Sequence, residues 1–301
     1  MLPPLQKMAA DGAALAEVAR AKVNLFLHVL GRRPEGFHTL RMMVVFPKIG
    51  DLITAEPADG LSLSISGPFA DGLSTGKDNL TLSAAEALAA KIGAAPGAAL
   101  HLEKNLPIAA GIGGGSADAG AALRLLSRMW PGADRVDLHD IAFALGADAP
   151  MCLAQTPAIA GGVGERLAPA PAFPGFWVVL VNPMTPLSTA EVFGGLERRE
   201  NPAGGAPPAR FVDLAHLTSW LSTQRNDMET AARKLRPEIG KVLSALAWDP
   251  TCLFRRMSGS GATCFGIFAS KADAMAASDR LRLAEPGWWV APAEVEGWDP
   301  T

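Results

Sequence analysis

The chain has 301 residues, 49% hydrophobic and 19% charged, a globular composition with room for two ordinary domains that excludes collagen-like and intrinsically disordered classes. A formal charge of −3 gives no overall basic footprint for nucleic acid or an anionic membrane, so a phosphorylated small molecule is the better-matched partner. Three cysteines without a Cys-x-x-Cys pair exclude a disulfide framework and a zinc site and point to a reducing cytoplasm, while no stretch reads as a secretion signal or as an apolar run long enough to span a bilayer.

Residues before Leu15 read as an N-terminal extension. Residues 19–30 then alternate, with Val23, Leu25, Leu27 and Val29 on one face and Lys22, Asn24, Phe26 and His28 on the other. This is the period of a half-buried strand whose polar side is either solvated or functional. Gly31-Arg32-Arg33-Pro34-Glu35-Gly36 breaks it as a hairpin or long loop, and a second strand resumes through residues 42–46. Residues 51–56 and 61–66 read as further short strands. Asp78-Asn79 offers an N-cap for a helix whose stripe is Leu80, Ala84, Leu88 and Ile92, closed by Gly93.

An alternating segment at 99–103 leads into Pro107-Ile108-Ala109-Ala110-Gly111-Ile112-Gly113-Gly114-Gly115-Ser116-Ala117-Asp118, and residues 119–130 follow with Ala and Leu at helical spacing. The order is strand, glycine loop, helix. Glycines let a backbone take positive φ and approach a ligand closely, and the unpaired N–H groups at a helix start favour phosphate. The loop has neither the Gly-Lys-Ser/Thr ending of a Walker loop nor the dinucleotide spacing. Read by itself, it is either a phosphate cradle or a flexible turn.

Leu138, Ile141, Ala142 and Leu145 mark the next helix, stopped by Gly146. Asp148 follows, between that helix end and Pro150, in an apolar neighbourhood where a carboxylate must cap, pair or work. Cys152 nearby reads as packing, and His28, His101, His139 and His216 show no metal-ligand spacing. Residues 176–181 form an apolar strand, broken at Asn182-Pro183 before a short helix starting near Ser188 or Thr189. Residues 201–208 read as a surface loop. Helical patterns at 213–221 and 228–246 precede a strand at 252–257 and a second glycine turn, Ser258-Gly259-Ser260-Gly261-Ala262, which is either a hairpin or another set of backbone donors. A strand at 263–269, a helix at 272–283 and a strand at 287–291 complete the pattern.

Ala21-Lys22-Val23-Asn24-Leu25, the loop at 107–119 and Gly259-Ser260-Gly261-Ala262-Thr263, in that order, resemble the GHMP superfamily of small-molecule kinases. With Gly36-Phe37-His38-Thr39-Leu40 and Gly146-Ala147-Asp148-Ala149-Pro150, the chain is similar over residues 19–295 to the branch that phosphorylates cytidine diphosphate methylerythritol in non-mevalonate isoprenoid synthesis. The resemblance implies an α+β fold of two domains, a ribosomal protein S5 domain 2-like domain over residues 1–172 and an α+β domain over 173–301, with the site in a cleft. It implies ATP and a magnesium ion as cofactors. Asp148 would be the catalytic carboxylate at the substrate's 2-hydroxyl, with Lys22 as its partner. The loop residues Pro107 to Ala117 would wrap the ATP phosphates, with Asn79 and Lys104 as outer contributors and Ser116, or alternatively Asp118, on the metal. His38 would read the cytosine edge, Phe37 and Phe193 would stack on the base, and Asn24 and Thr189 would sit near the erythritol and the diphosphate. Phe37 stands where this branch leads one to expect Tyr; the stacking face is kept and the phenolic hydrogen bond is lost. A homoserine- or mevalonate-type kinase, or a member retained as a binding module, are the rival readings. The sequence does not give the oligomeric state.

Overall fold

The computed structural model describes residues 14–93 and 97–300, so the expected N-terminal extension lies outside the described residues except for Ala14. The fold is α+β, and packing divides it into two compact units. The first contains residues 1–21, 50–108 and 113–155; the second contains 22–49, 109–112 and 156–301. Both therefore draw on sequence from either side of the glycine loop, whereas the expected division at residue 172 is a single cut.

In the first unit a four-stranded sheet runs in the order Leu15–Arg20, Gly50–Pro57, Ala98–Glu103, Leu61–Ser66, antiparallel except for its last pair. The helices Leu80–Ile92 and Gly114–Met129 pack against it. The first begins and ends as its sequence dictates: the Asn79 side chain accepts the Thr81 N–H, and Gly93 closes it at φ 70°. The second buries every residue from Ala117 to Leu123, because a helix of Ala and Gly can be approached closely from several sides.

The second unit holds two further sheets, ordered Val23–Arg32, His38–Val45, Ala158–Gly162, Arg166–Pro169 and Phe254–Met257, Cys264–Phe268, Phe176–Asn182, Trp289–Val295. They share one core, in which Val23, Leu25, Phe26, Met43 and Val45 meet Phe176, Val178, Leu180, Phe265 and Ile267. Covering on both sides explains a departure from expectation. The alternating segment is two strands of different sheets, broken at Ala21-Lys22, and its polar face is not solvated: Asn24 and His28 are fully buried along with their apolar neighbours. The helical stretch at 228–246 is likewise two helices, Glu229–Leu235 and Glu238–Ala247, because Pro237 has no N–H to continue the first.

The Pro/Gly segment 201–208 contains no regular element, yet it is strapped down. His28 Nδ1 donates to Ala203 O (2.8 Å) while its Nε2 accepts the Arg225 N–H (3.2 Å), which fixes the imidazole as the neutral Nδ1–H tautomer. Arg41 donates to Ala203 O and Arg225 to Pro202 O. Burial above all pushes the His28 pKa below its ordinary 6.5, with Arg225 and Arg41 acting the same way against the Ala203 carbonyl. The unfolded chain then binds a proton that the folded chain refuses. Stability is therefore full above pH 6.5 and declines as pH falls below it. A series of thermal melts from pH 8 to pH 5 should show this decline, and it should be shallower in His28→Gln.

Candidate active site

The glycine loop takes its shape from left-handed residues at alternate positions: Ala109 at φ 51°, Gly111 at 72° and Gly113 at 67°. Gly113 is also the N-cap of the helix Gly114–Met129 and supplies no side-chain cap, so the first-turn N–H groups stay available to an anion at the positive end of a 16-residue helix. Ser116 lies in that first turn, partly exposed. Ile108, earlier in the loop, is 49% exposed.

Within the second unit, residues 109–112 lie against the glycine turn 258–262, which closes the antiparallel hairpin of Phe254–Met257 and Cys264–Phe268. Ser258 Oγ donates to Gly111 O (3.1 Å), the Thr263 N–H donates to Ala110 O (3.1 Å), and the Lys22 N–H donates to Ile112 O (2.8 Å). A Cβ on Gly111 would stand 2.5 Å from Gly261 O, closer than real contacts allow, at a φ that disfavours any side chain. Gly111→Ala should therefore raise the Kd for ATP by at least about tenfold, read by calorimetric titration, with circular dichroism checking that the variant is folded.

Lys22 is 4% exposed. Asn24 donates its N–H to Ser258 Oγ (3.1 Å) and its Nδ2 to Met42 Sδ (3.0 Å), while its buried Oδ1 has no hydrogen-bond partner among the described residues. Arg256, itself buried and donating to Leu25 O (2.9 Å), anchors the strand next to Asn24. The Thr189 hydroxyl is hydrogen bonded to that of Ser260 (2.8 Å), at the start of a helix fixed by a Ser188/Glu191 capping box.

His38 and Phe193 are stacked, with ring centroids 4.4 Å apart and planes 9° from parallel. The expectation sets the base against Phe37 and Phe193, and Phe193 also stacks on His38. Phe37 is 63% exposed and its ring is open to a ligand. Burial, together with Arg32 and Arg199, pushes the His38 pKa below 6.5, so at neutral pH the ring keeps one donor and one acceptor nitrogen. Its Nε2 is buried without a partner among the described residues.

In the first unit Asp148 is the N-cap of the six-residue helix Ala149–Ala154 and is partly buried. That helix packs backbone to backbone on the loop helix, since a Cβ on Gly120 would meet Leu153 N and Cys152 C at 2.8 Å. Asn79 and Lys104, expected as outer contributors to the nucleotide site, make contacts within the first unit. Asn79 caps its helix through Oδ1 and donates Nδ2 to Ser74 O (2.8 Å). Lys104 is 4% exposed, and its Nζ donates to Asp51 Oδ2 (2.5 Å) and Asp118 Oδ2 (2.7 Å). Asp51 Oδ1 in turn accepts the N–H groups of Asn105 (2.6 Å) and Leu106 (2.8 Å). Burial first, and then the Asp51 carboxylate, raise the Asp118 pKa to about 8. The cluster is then electrically neutral when Asp118 keeps its proton. It lies directly under the loop helix, with Lys104 Nζ 3.6 Å from where a Cβ on Gly114 would be.

Among the described residues no three His, Cys, Asp or Glu side chains stand together as a metal site. Asp51 and Arg256 went unread as site residues in the sequence, and Ser258 was read only as part of the second glycine turn. Asp51 had a signal, since a strand beside 98–103 brings it next to Lys104.

The family description GHMP kinases N terminal domain matches residues 79–156, and GHMP kinases C terminal matches residues 210–286. The chain is 49% identical over 282 residues to 4-diphosphocytidyl-2-C-methyl-D-erythritol kinase of Cereibacter sphaeroides, covering 93% of this chain and 98% of that protein. It is 49% identical over 280 residues to the protein of the same name from Paramagnetospirillum magneticum, covering 92% and 97%. A crystal structure of 4-(cytidine 5'-diphospho)-2C-methyl-D-erythritol kinase superposes with a TM-score of 0.76 at 32% identity, over 94% of this chain and all of that one. Homoserine kinase from Cytophaga hutchinsonii, at TM-score 0.70 and 16% identity over 98% of both chains, shares the fold.

Proposed function

The chain belongs to the GHMP kinases, in the family of 4-diphosphocytidyl-2-C-methyl-D-erythritol kinases, and we propose that Asp148 and Lys22 carry its chemistry. It is an ATP-dependent small-molecule kinase that phosphorylates the 2-hydroxyl of 4-diphosphocytidyl-2-C-methyl-D-erythritol, a step of non-mevalonate isoprenoid synthesis. The observation that carries the site assignment is the uncapped N-terminus of Gly114–Met129 behind three left-handed residues, a built cradle for phosphate.

Phosphoryl transfer leaves little covalent work to the protein, so most of the acceleration comes from positioning and from neutralising charge. Backbone N–H groups of residues 113–116 hold the phosphates, the Ala117 N–H being already donated to Gly113 O. Asp148 takes the proton of the accepting hydroxyl, and Lys22 supplies the positive charge that stabilises the oxygen as it becomes a nucleophile. Ser116 would offer its hydroxyl to a magnesium ion carried in on the nucleotide, which would supply positive charge against the phosphates there. His38 recognises the cytosine edge with its neutral ring, backed by Phe193, and the exposed Phe37 offers the stacking face. Asn24 Oδ1 is an acceptor waiting for a substrate hydroxyl, and Thr189 with Ser260 offers hydroxyls to the diphosphate.

The division into residues 1–172 and 173–301 remains our reading of the two inherited domains, supported by family matches that fall on either side of it. Three free thiols support a cytoplasmic home. No helix among the described residues is long and apolar enough to cross a membrane. Mass spectrometry tests the activity: incubation with ATP should add one phosphate to 4-diphosphocytidyl-2-C-methyl-D-erythritol and none to homoserine or mevalonate. A phosphate gain on either of the latter instead would overturn the substrate assignment.

A further inference from the structure

The helix that carries Asp148 is only six residues long, too short to hold its own shape in water. Something must fix it, and the loop helix supplies the means one turn past Gly120. Arg124 Nη1 donates to Cys152 O (2.7 Å) and Leu153 O (2.9 Å), at the C-terminal end of the short helix where a cation is favoured. Its Nη2 donates to the Gln155 side-chain Oε1 (3.0 Å), and its Nε to Glu17 (2.9 Å). Gln155 closes the short helix in the left-handed region, at φ 50°, and its Oε1 also accepts the Arg20 N–H (3.1 Å). All three guanidinium nitrogens are thus engaged, and the fork ties the end of the Asp148 helix to the strand Leu15–Arg20.

Gly120 and Arg124 are four residues apart and share a face of the loop helix. The glycine admits the backbone of the short helix and the arginine grips its carbonyls. One rigid element therefore presents phosphate donors at its start and holds the Asp148 segment on its flank.

We infer that Arg124 is a positioning residue for phosphoryl transfer, setting the place of Asp148 through the carbonyls of Cys152 and Leu153. The inference rests on Asp148 being the base. Lysine keeps the charge but cannot engage three separate partners in a fixed fork. Displacing a reacting group by about 1 Å costs on the order of 100-fold, so Arg124→Lys should lower kcat by about 10- to 100-fold with KM for both substrates within about threefold of wild type. In an Asp148→Asn background the same substitution should change kcat by less than about twofold, because residues acting as one unit are not additive.

The inference is overturned if kcat in Arg124→Lys is normal, if its loss persists undiminished in the Asp148→Asn background, or if the loss only follows the unfolded fraction seen by circular dichroism. Near-normal turnover in Asp148→Asn alone would instead show that the base assignment has failed. Gln155→Asn tests the same linkage should Arg124→Lys not fold. It keeps a residue that tolerates the left-handed conformation but withdraws the acceptor. It should lower kcat by about three- to tenfold, the milder loss expected when one partner of the fork goes and its grip on the carbonyls stays. An unchanged kcat there would overturn the linkage.

Discussion

Asp148→Asn should lower kcat by about 10²–10⁴-fold, the usual worth of a general base, while the Kd for ATP stays within about threefold of wild type. The amide keeps the size and polarity of the side chain and loses the ability to take a proton. The separation of effects follows from how the site is built. The phosphate donors belong to the backbone at the start of Gly114–Met129, and Asp148 sits on a different helix, at its N-cap. Rapid-quench measurement of a single turnover, beside calorimetric titration of ATP, gives both quantities. A variant that binds ATP weakly and turns over normally would reverse the assignment.

Lys104→Met should be the most destabilising of the single substitutions considered. It leaves Asp51 and Asp118, 0% and 4% exposed, facing each other without the cation between them. Removing one partner from a buried ionic cluster costs about 3–5 kcal/mol. The loss should show as a lower midpoint in urea at unchanged slope. Lys104 thereby matters to the nucleotide loop as a support under Gly114, and its variant should lose activity by unfolding before it loses affinity.

Local chemistry made much of this fold legible. The helix Leu80–Ile92 starts and stops at the Asn79 and Gly93 named for it, and the strand, loop and helix around residues 98–129 follow one another as their spacing requires. Legibility ends where burial depends on distant sequence. The face carrying Asn24 and His28 alternates like a solvated strand edge, and only a second layer, provided by Arg256, Ser258 and the segment 201–208, makes it interior. The strands Ala158–Gly162 and Arg166–Pro169 were not readable, since Ala and Gly carry no polarity contrast to reveal a period. Lys104, an outer contributor to the ATP site by resemblance, is turned inward by two carboxylates 53 and 14 residues away in sequence, which its position before the glycine loop does not reveal. His38 and Phe193 illustrate the same point: the resemblance gave one the cytosine edge and the other a face of the base, and neither sequence position announced that the two would stack on each other.

The grip of the turn 258–262 on residues 109–112 bears on how such a loop could be transplanted. Its glycines permit many conformations, and the one adopted is selected by Ser258, Gly261 and Thr263, some 147 residues downstream at the Ser258 to Gly111 bond. A designer who grafted the twelve-residue motif onto another strand and helix would import its freedom without its mould. The recipient would need its own counterpart of the hairpin before the backbone donors could converge on a phosphate.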